Sequence, residues 1–156
     1  MTDAPRRAPF PVGKVLTSAA ALVPAVGAFV ADWNETHVFN PRWPPHAKFH
    51  NAQTITLSVV AAGLTLWETW RPGPTDRSRL RWATTMGGLF WLTQAPAILF
   101  PGTAFVDAEN GLQTTRVGPV PVNQLTAVGA LVLPLLSAGY ALELRRCQKS
   151  GHLQAR

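Results

Sequence analysis

Three of the four histidines and two of the eight acids fall between Asp32 and Gln53. The stretch reads Asp32-Trp33-Asn34-Glu35-Thr36-His37, then Asn40-Pro41-Arg42-Trp43-Pro44-Pro45-His46-Ala47-Lys48-Phe49-His50, with Gln53 beyond. Pro44-Pro45 is a helix-start signal, because proline is preorganised for a first helical turn. A helix begun there sets His46 and His50 four residues apart on one face, which Gln53, Leu57, Leu64 and Glu68 continue. Two imidazoles so spaced can share a divalent metal ion, provided carboxylates or a third histidine complete the shell. Asp32, Glu35 and His37 are the near candidates, and Asp107, Glu109 and Asn110 the far ones. Without a metal the same groups can move protons, since imidazole titrates near neutral pH and a carboxylate can orient it. A third reading is a shaped connector. Histidine, tryptophan and proline suit a membrane interface, and Asn34, Thr36, Asn40 and Pro41 suit turns and caps.

The expected site gathers Asp32, His37, His46 and His50 into one cluster as its acid/base groups, with Asp107 or Glu109 near the rim. Trp43, Gln53, Gln94 and Asn123 would line the cavity beside it. A metal, if bound, would use His46, His50 and Asp32. Pairing of the carboxylate with the imidazoles favours their charged form, so activity should change with pH around or above ~6.5. Gln94 has a plainer use, bonding the carbonyl that Pro96 frees. Asn123 and Gln124 have one too, as a helix start. Glu68 is placed to pair with Arg71 three residues on.

The elements that must hold these groups are four apolar runs, at 15–31, 51–70, 82–100 and 125–142, with Glu68 the only charge inside them. A bilayer core about 30 Å thick needs roughly 17–25 helical residues per span, and all four runs fit. They are uniformly apolar, unlike the alternating strands of a membrane barrel. Pro24, Pro96 and Pro134 lie inside three of them, which neighbouring helices of a membrane bundle can absorb. Gly27, Gly63, Gly87, Gly88, Gly129 and Gly139 suit close helix approach. The expectation is an all-α fold: a single integral membrane domain, a four-helix transmembrane bundle.

Basic residues set its orientation. Arg6, Arg7 and Lys14 precede the first run. Arg71, Arg77, Arg79 and Arg81 separate the second from the third, and Arg145, Arg146, Lys149 and Arg156 follow the fourth. The other two loops hold only Arg42, Lys48 and Arg116. By the positive-inside rule both termini and the middle loop are cytoplasmic, in a multi-pass protein of the cell (inner) membrane. The net charge of +6 is then mainly an orientation signal. A rival reading takes the first run as a cleaved signal peptide, with Val26-Gly27-Ala28 as its small-residue site. The 14% of charged residues, gathered between greasy runs, excludes a disordered chain, a coiled coil and a basic nucleic-acid binder. The one cysteine, Cys147, excludes an intrachain disulfide. Phosphate-binding loops, dinucleotide fingerprints and serine-nucleophile elbows are absent from the sequence.

The run Asp32-Trp33-Asn34-x-Thr36-His37-x-x-Asn40-Pro41-x-Trp43-Pro44-Pro45-His46-Ala47-Lys48-Phe49-His50 resembles the signature of a family of small, uncharacterised four-helix membrane proteins of bacteria and fungi. The resemblance implies membrane placement and assigns no activity. At the level of architecture the chain is also similar to the sterol-isomerase and sigma-2-receptor superfamily and to DoxX-like four-span bundles, whose motifs it lacks, so no residue role carries over. Two functions are expected. One is a membrane enzyme using acid/base chemistry on a small apolar, isoprenoid-, sterol- or quinone-like substrate. The other is a non-catalytic binding, transport or accessory protein. The absence of mid-membrane charge weighs against an ion or proton pump.

Overall fold

The computed structural model describes residues 10–105, 116–121 and 123–149. They form four long helices: α1 (Val12–Asp32), α2 (Pro45–Trp70), α3 (Arg77–Gln94) and α4 (Gln124–Lys149). A 3-10 turn, Ala95–Leu99, follows α3. A two-stranded antiparallel ribbon, β1 (Arg116–Val117) with β2 (Val120–Pro121), precedes α4. Gly118, in the left-handed region at φ +60°, allows the tight turn between them.

Local chemistry sets the helix ends. Pro45 opens α2, as its fixed φ favours. Asp76 caps α3 by accepting from the Arg79 N–H at 2.7 Å. Asn123 and Thr126 cap α4 reciprocally: the Thr126 N–H donates to Asn123 Oδ1 at 3.0 Å, and the Asn123 N–H to Thr126 Oγ1 at 2.9 Å. Asn123 therefore serves as the cap of α4. The expected third span, 82–100, is not one α-helix. The α-helix begins earlier, at Arg77, and gives way to the 3-10 turn that contains Pro96, because proline cannot donate to the preceding turn. Arg79 closes the C-terminus of α2: its guanidinium donates to the carbonyls of Glu68, Arg71, Gly73 and Pro74.

Each helix packs on its sequence neighbour, and α4 returns against α1, which closes a four-helix bundle. The interior is rich in small side chains, with Ile55 and Phe90 among its few large ones. Ala20, Ala21, Ala25 and Ala28 of α1 are buried, as are Ala61 and Ala62 of α2, Ala83 of α3, and Val132 and Leu136 of α4. Thr17, Ser58 and Thr65 are buried too, and each hydroxyl donates to a carbonyl one turn back, at 2.7–3.0 Å. The backbones of α1 and α4 approach closely at Gly13 and Gly139. A Cβ on Gly139 would lie 2.5 Å from Thr17 Oγ1, and one on Gly13 would lie 2.7 Å from both Glu143 Cγ and the Gly139 carbonyl.

Large apolar side chains point the other way. Leu22, Val26 and Val30 of α1, Leu57, Val60 and Leu64 of α2, Leu92 of α3 and Leu131 and Leu133 of α4 are exposed. The helices α1 and α4 are each long and apolar enough to cross a membrane. Helix α2 opens with the polar stretch Pro45–Gln53, and α3 opens with Arg77, Arg79 and Arg81, which makes these two less apolar overall.

Candidate functional site

The connection from α1 to α2 is wound by two asparagines. Asn34 donates through Nδ2 to the Ala31 carbonyl at 2.7 Å and the Val30 carbonyl at 3.2 Å, closing the end of α1. Its Oδ1 accepts from the Thr36 N–H at 2.9 Å and the Thr36 hydroxyl at 2.6 Å. Asn40, only 2% exposed, donates to the Thr36 carbonyl at 3.2 Å and accepts from the Arg42 N–H at 2.9 Å. Side chains that mimic backbone turns in this way suit a segment with no ladder of its own.

This frame holds His37 against Asp32. His37 Nδ1 lies 2.7 Å from Thr36 Oγ1, and His37 Nε2 lies 3.9 Å from Asp32 Oδ1. The hydrogen positions follow from the chain of contacts. Asn34 Nδ2 faces two carbonyls, so its amide orientation is settled and Oδ1 can only accept. The Thr36 hydroxyl must spend its one hydrogen on that oxygen. The short contact on its other side then requires a hydrogen on His37 Nδ1. With the hydrogen on Nδ1, Nε2 is the ring atom that faces Asp32. Trp43 meets the His37 ring edge-on, with centroids 5.0 Å apart.

Asp32 lies one residue past the apolar run 15–31. Its second oxygen, Oδ2, accepts from Asn51 Nδ2 at 3.0 Å, which ties the end of α1 to α2. Burial pushes the Asp32 carboxyl above the usual carboxylate range, while His37 and the Asn51 hydrogen bond pull the other way. Asn51 Oδ1 is buried with no partner among the described residues, so an acceptor stands unused beside the carboxyl.

The expected four-residue cluster divides here. Asp32 and His37 come together, but His46 and His50 take their contacts from each other and from Gln53. Their Nε2 atoms are 3.1 Å apart, and His50 Nδ1 is 3.1 Å from Gln53 Oε1. All three lie on the exposed face of α2, and His46 stacks on the exposed Phe49. The reason is helical phase. The buried stripe of α2 runs through Ile55, Ser58, Ala62, Thr65 and Thr69, and four residues before Ile55 stands Asn51. His50 precedes Asn51 by one position, about 100° round the helix. The same stripe, extended one turn, was the signal that identifies Asn51.

The metal set of His46, His50 and Asp32 is not assembled. Among the described residues no three His, Cys, Asp or Glu side chains gather as a metal shell would require. Gln94 donates to Gln124 Oε1 at 2.6 Å and so joins α3 to the start of α4. Asp107 and Glu109 lie outside the described residues.

No curated protein and no solved structure matches the chain. Residues 16–153, which span the whole loop and all but the start of the bundle, match one family, and the chain belongs to it: the family of unknown function DUF6640.

Proposed function

We propose that this is a four-span protein of the cell membrane, with both termini cytoplasmic, whose outer face uses the Asp32–His37 pair as an acid/base group toward a small amphipathic ligand. Membrane placement is supported by the inverted packing. Alanine, glycine and hydroxyl side chains make up most of the bundle interior, beside Ile55, Phe90, Val132 and Leu136, while many large apolar side chains on all four helices face out. A soluble bundle buries its large apolar residues, whereas a bundle in lipid gains most from close helix approach. Exposed apolar surface on this scale needs a nonpolar surrounding.

The observation that carries the chemistry is the hydrogen-bond chain from Asn34 through Thr36 to His37. It fixes Nδ1–H and turns Nε2 to Asp32. The Nε2 lone pair of a neutral imidazole faces the carboxyl across 3.9 Å, too far for a direct hydrogen bond and open to a ligand group set between them. The carboxyl can give such a group a proton and the imidazole can take one from it. Asn51 Oδ1 supplies the acceptor that would orient a ligand hydroxyl beside the pair. A second reading, non-catalytic docking, is favoured by the exposed His46–Phe49–His50 ring cluster, which offers a partner an aromatic and polar face.

Two measurements test the proposal. Topology reporters at Asp76 and after Arg156 should read cytoplasmic, and one in the Glu109 loop should read outside. An outside signal at Asp76 ends the four-span reading. Nitrogen NMR of histidine-labelled protein should show His37 Nδ1 protonated throughout the titration, with only Nε2 exchanging. An Nε2–H neutral tautomer would remove the acid/base assignment.

A further inference from the structure

The opposite end of the bundle holds a cleft of about 240 Å³, lined by Lys14 of α1, the Gly73-Pro74-Thr75 turn, and Glu143, Arg146 and Cys147 of α4. At roughly 30 Å³ per water, that is room for about eight waters, or for a tetrahedral oxyanion and its ester. A smaller void adjoins it, lined by Lys14, Glu143, Thr75 and the buried Arg79.

The charges around the cleft are unequal. Glu143 is 4% exposed and sits 3.8 Å from Arg146 Nη1, so the one carboxylate of the wall pairs with Arg146 and not with Lys14. Lys14 has no carboxylate within ion-pair distance among the described residues. Its ammonium rests 5.4 Å from the centre of the Trp70 ring, and Trp70 in turn donates to Ser18 Oγ at 2.9 Å. An aromatic face and a helix stem thus hold a cation at the mouth of a cleft that is positive overall. Gly73, with φ +102°, forms the turn opposite it.

We propose that this cleft binds a phosphate ester, with Lys14 and Arg146 as its cationic grips and Glu143 holding Arg146 in place. The position suits the headgroup of an acidic phospholipid. Basic pockets between membrane helices on the cytoplasmic side take such groups, and in that form the proposal rests on the membrane reading above. A soluble phosphate monoester would use the same two cations.

The experiment is native mass spectrometry of the full chain released from nanodiscs of phosphatidylcholine doped with phosphatidylglycerol. Wild type should retain one phosphatidylglycerol. The Lys14→Gln/Arg146→Gln double variant should lose at least tenfold of that retention. Arg145→Gln/Lys149→Gln, which removes the same charge from exposed positions, should keep it. Lys14→Gln alone should weaken retention, and Lys14→Arg should restore it, which separates a lost contact from a lost fold. Equal loss in both double variants, or in neither, overturns the site. A second arm titrates inorganic phosphate and glycerol phosphate against detergent-purified protein. Saturable binding there that the Lys14→Gln/Arg146→Gln variant loses identifies a soluble ligand. It reads the site even if carbonate extraction strips the chain from membranes and defeats the membrane reading.

Discussion

At Asp32 two effects oppose each other. Burial favours the neutral acid, while His37 and the Asn51 amide favour the carboxylate, and burial is the larger. The folded carboxyl therefore holds its proton to higher pH than the unfolded one, whose value is ~3.9. Between those two values the folded state binds more protons, so stability falls as pH rises. The contribution is fully present below the unfolded value and lost as pH climbs through the folded one. Unfolding in detergent followed across mild acid should show this slope, and Asp32→Asn should flatten it. An unchanged slope would place the proton elsewhere. Thr36→Val tests the neighbouring link: without the hydroxyl, His37 Nδ1 loses its acceptor, and nitrogen NMR should show both neutral tautomers. Little of this was legible in the sequence. Asp32 and His37 stand out as chemistry-bearing side chains, but the residue types on α2 point to histidine as their partner. Which α2 residue meets Asp32 depends on helical phase, and a loop's winding has no periodicity to read it from.

The helices themselves were legible, because each apolar run is long and uniform and Pro45, Asp76 and Asn123 mark where three of them begin. Their ends were less so. The apolar run past Gln94 hides a change to a 3-10 turn, since hydropathy does not register the hydrogen bond that Pro96 removes. Glu143 lies one residue past the fourth apolar run, where hydropathy alone gives no reason to place it inside the bundle. It continues the buried stripe Val132, Leu136, Gly139 of α4, and periodicity beyond the apolar run would have found it. The α1–α4 contact makes its own prediction. Gly13→Ala drives a Cβ into the Gly139 carbonyl, which cannot rotate away, so about 1–3 kcal/mol of stability should be lost. Gly27→Ala and Gly63→Ala, where a Cβ meets nothing within 4 Å, should be neutral or mildly stabilising. Reversible unfolding in mixed micelles compares them directly, and equal effects at all three sites would mean the crossing is looser than drawn.

For the whole molecule the decisive question is what surrounds it. Val60 lies midway along the apolar run 51–70 of α2 with its side chain exposed. In water, Val60→Asp would be close to neutral. Inside a bilayer an aspartate at mid-helix costs roughly 2.5–3.5 kcal/mol on insertion scales, so the variant should insert poorly in a glycosylation-mapping assay. Normal insertion together with normal yield would count against α2 as a span. The same substitution at Trp70, at the end of the helix, should be far milder.

The small-residue interior also bears on heat. Alanine and glycine give up almost no rotamer freedom when they pack. In a bilayer the leucines and valines that face outward would meet the same nonpolar surroundings whether the helices are together or apart. Separating the bundle in a bilayer would therefore expose little apolar surface to water, and the heat-capacity increment that bends the stability curves of soluble proteins would be small. Its stability should then vary almost linearly with temperature, with no cold-denaturation limb within reach.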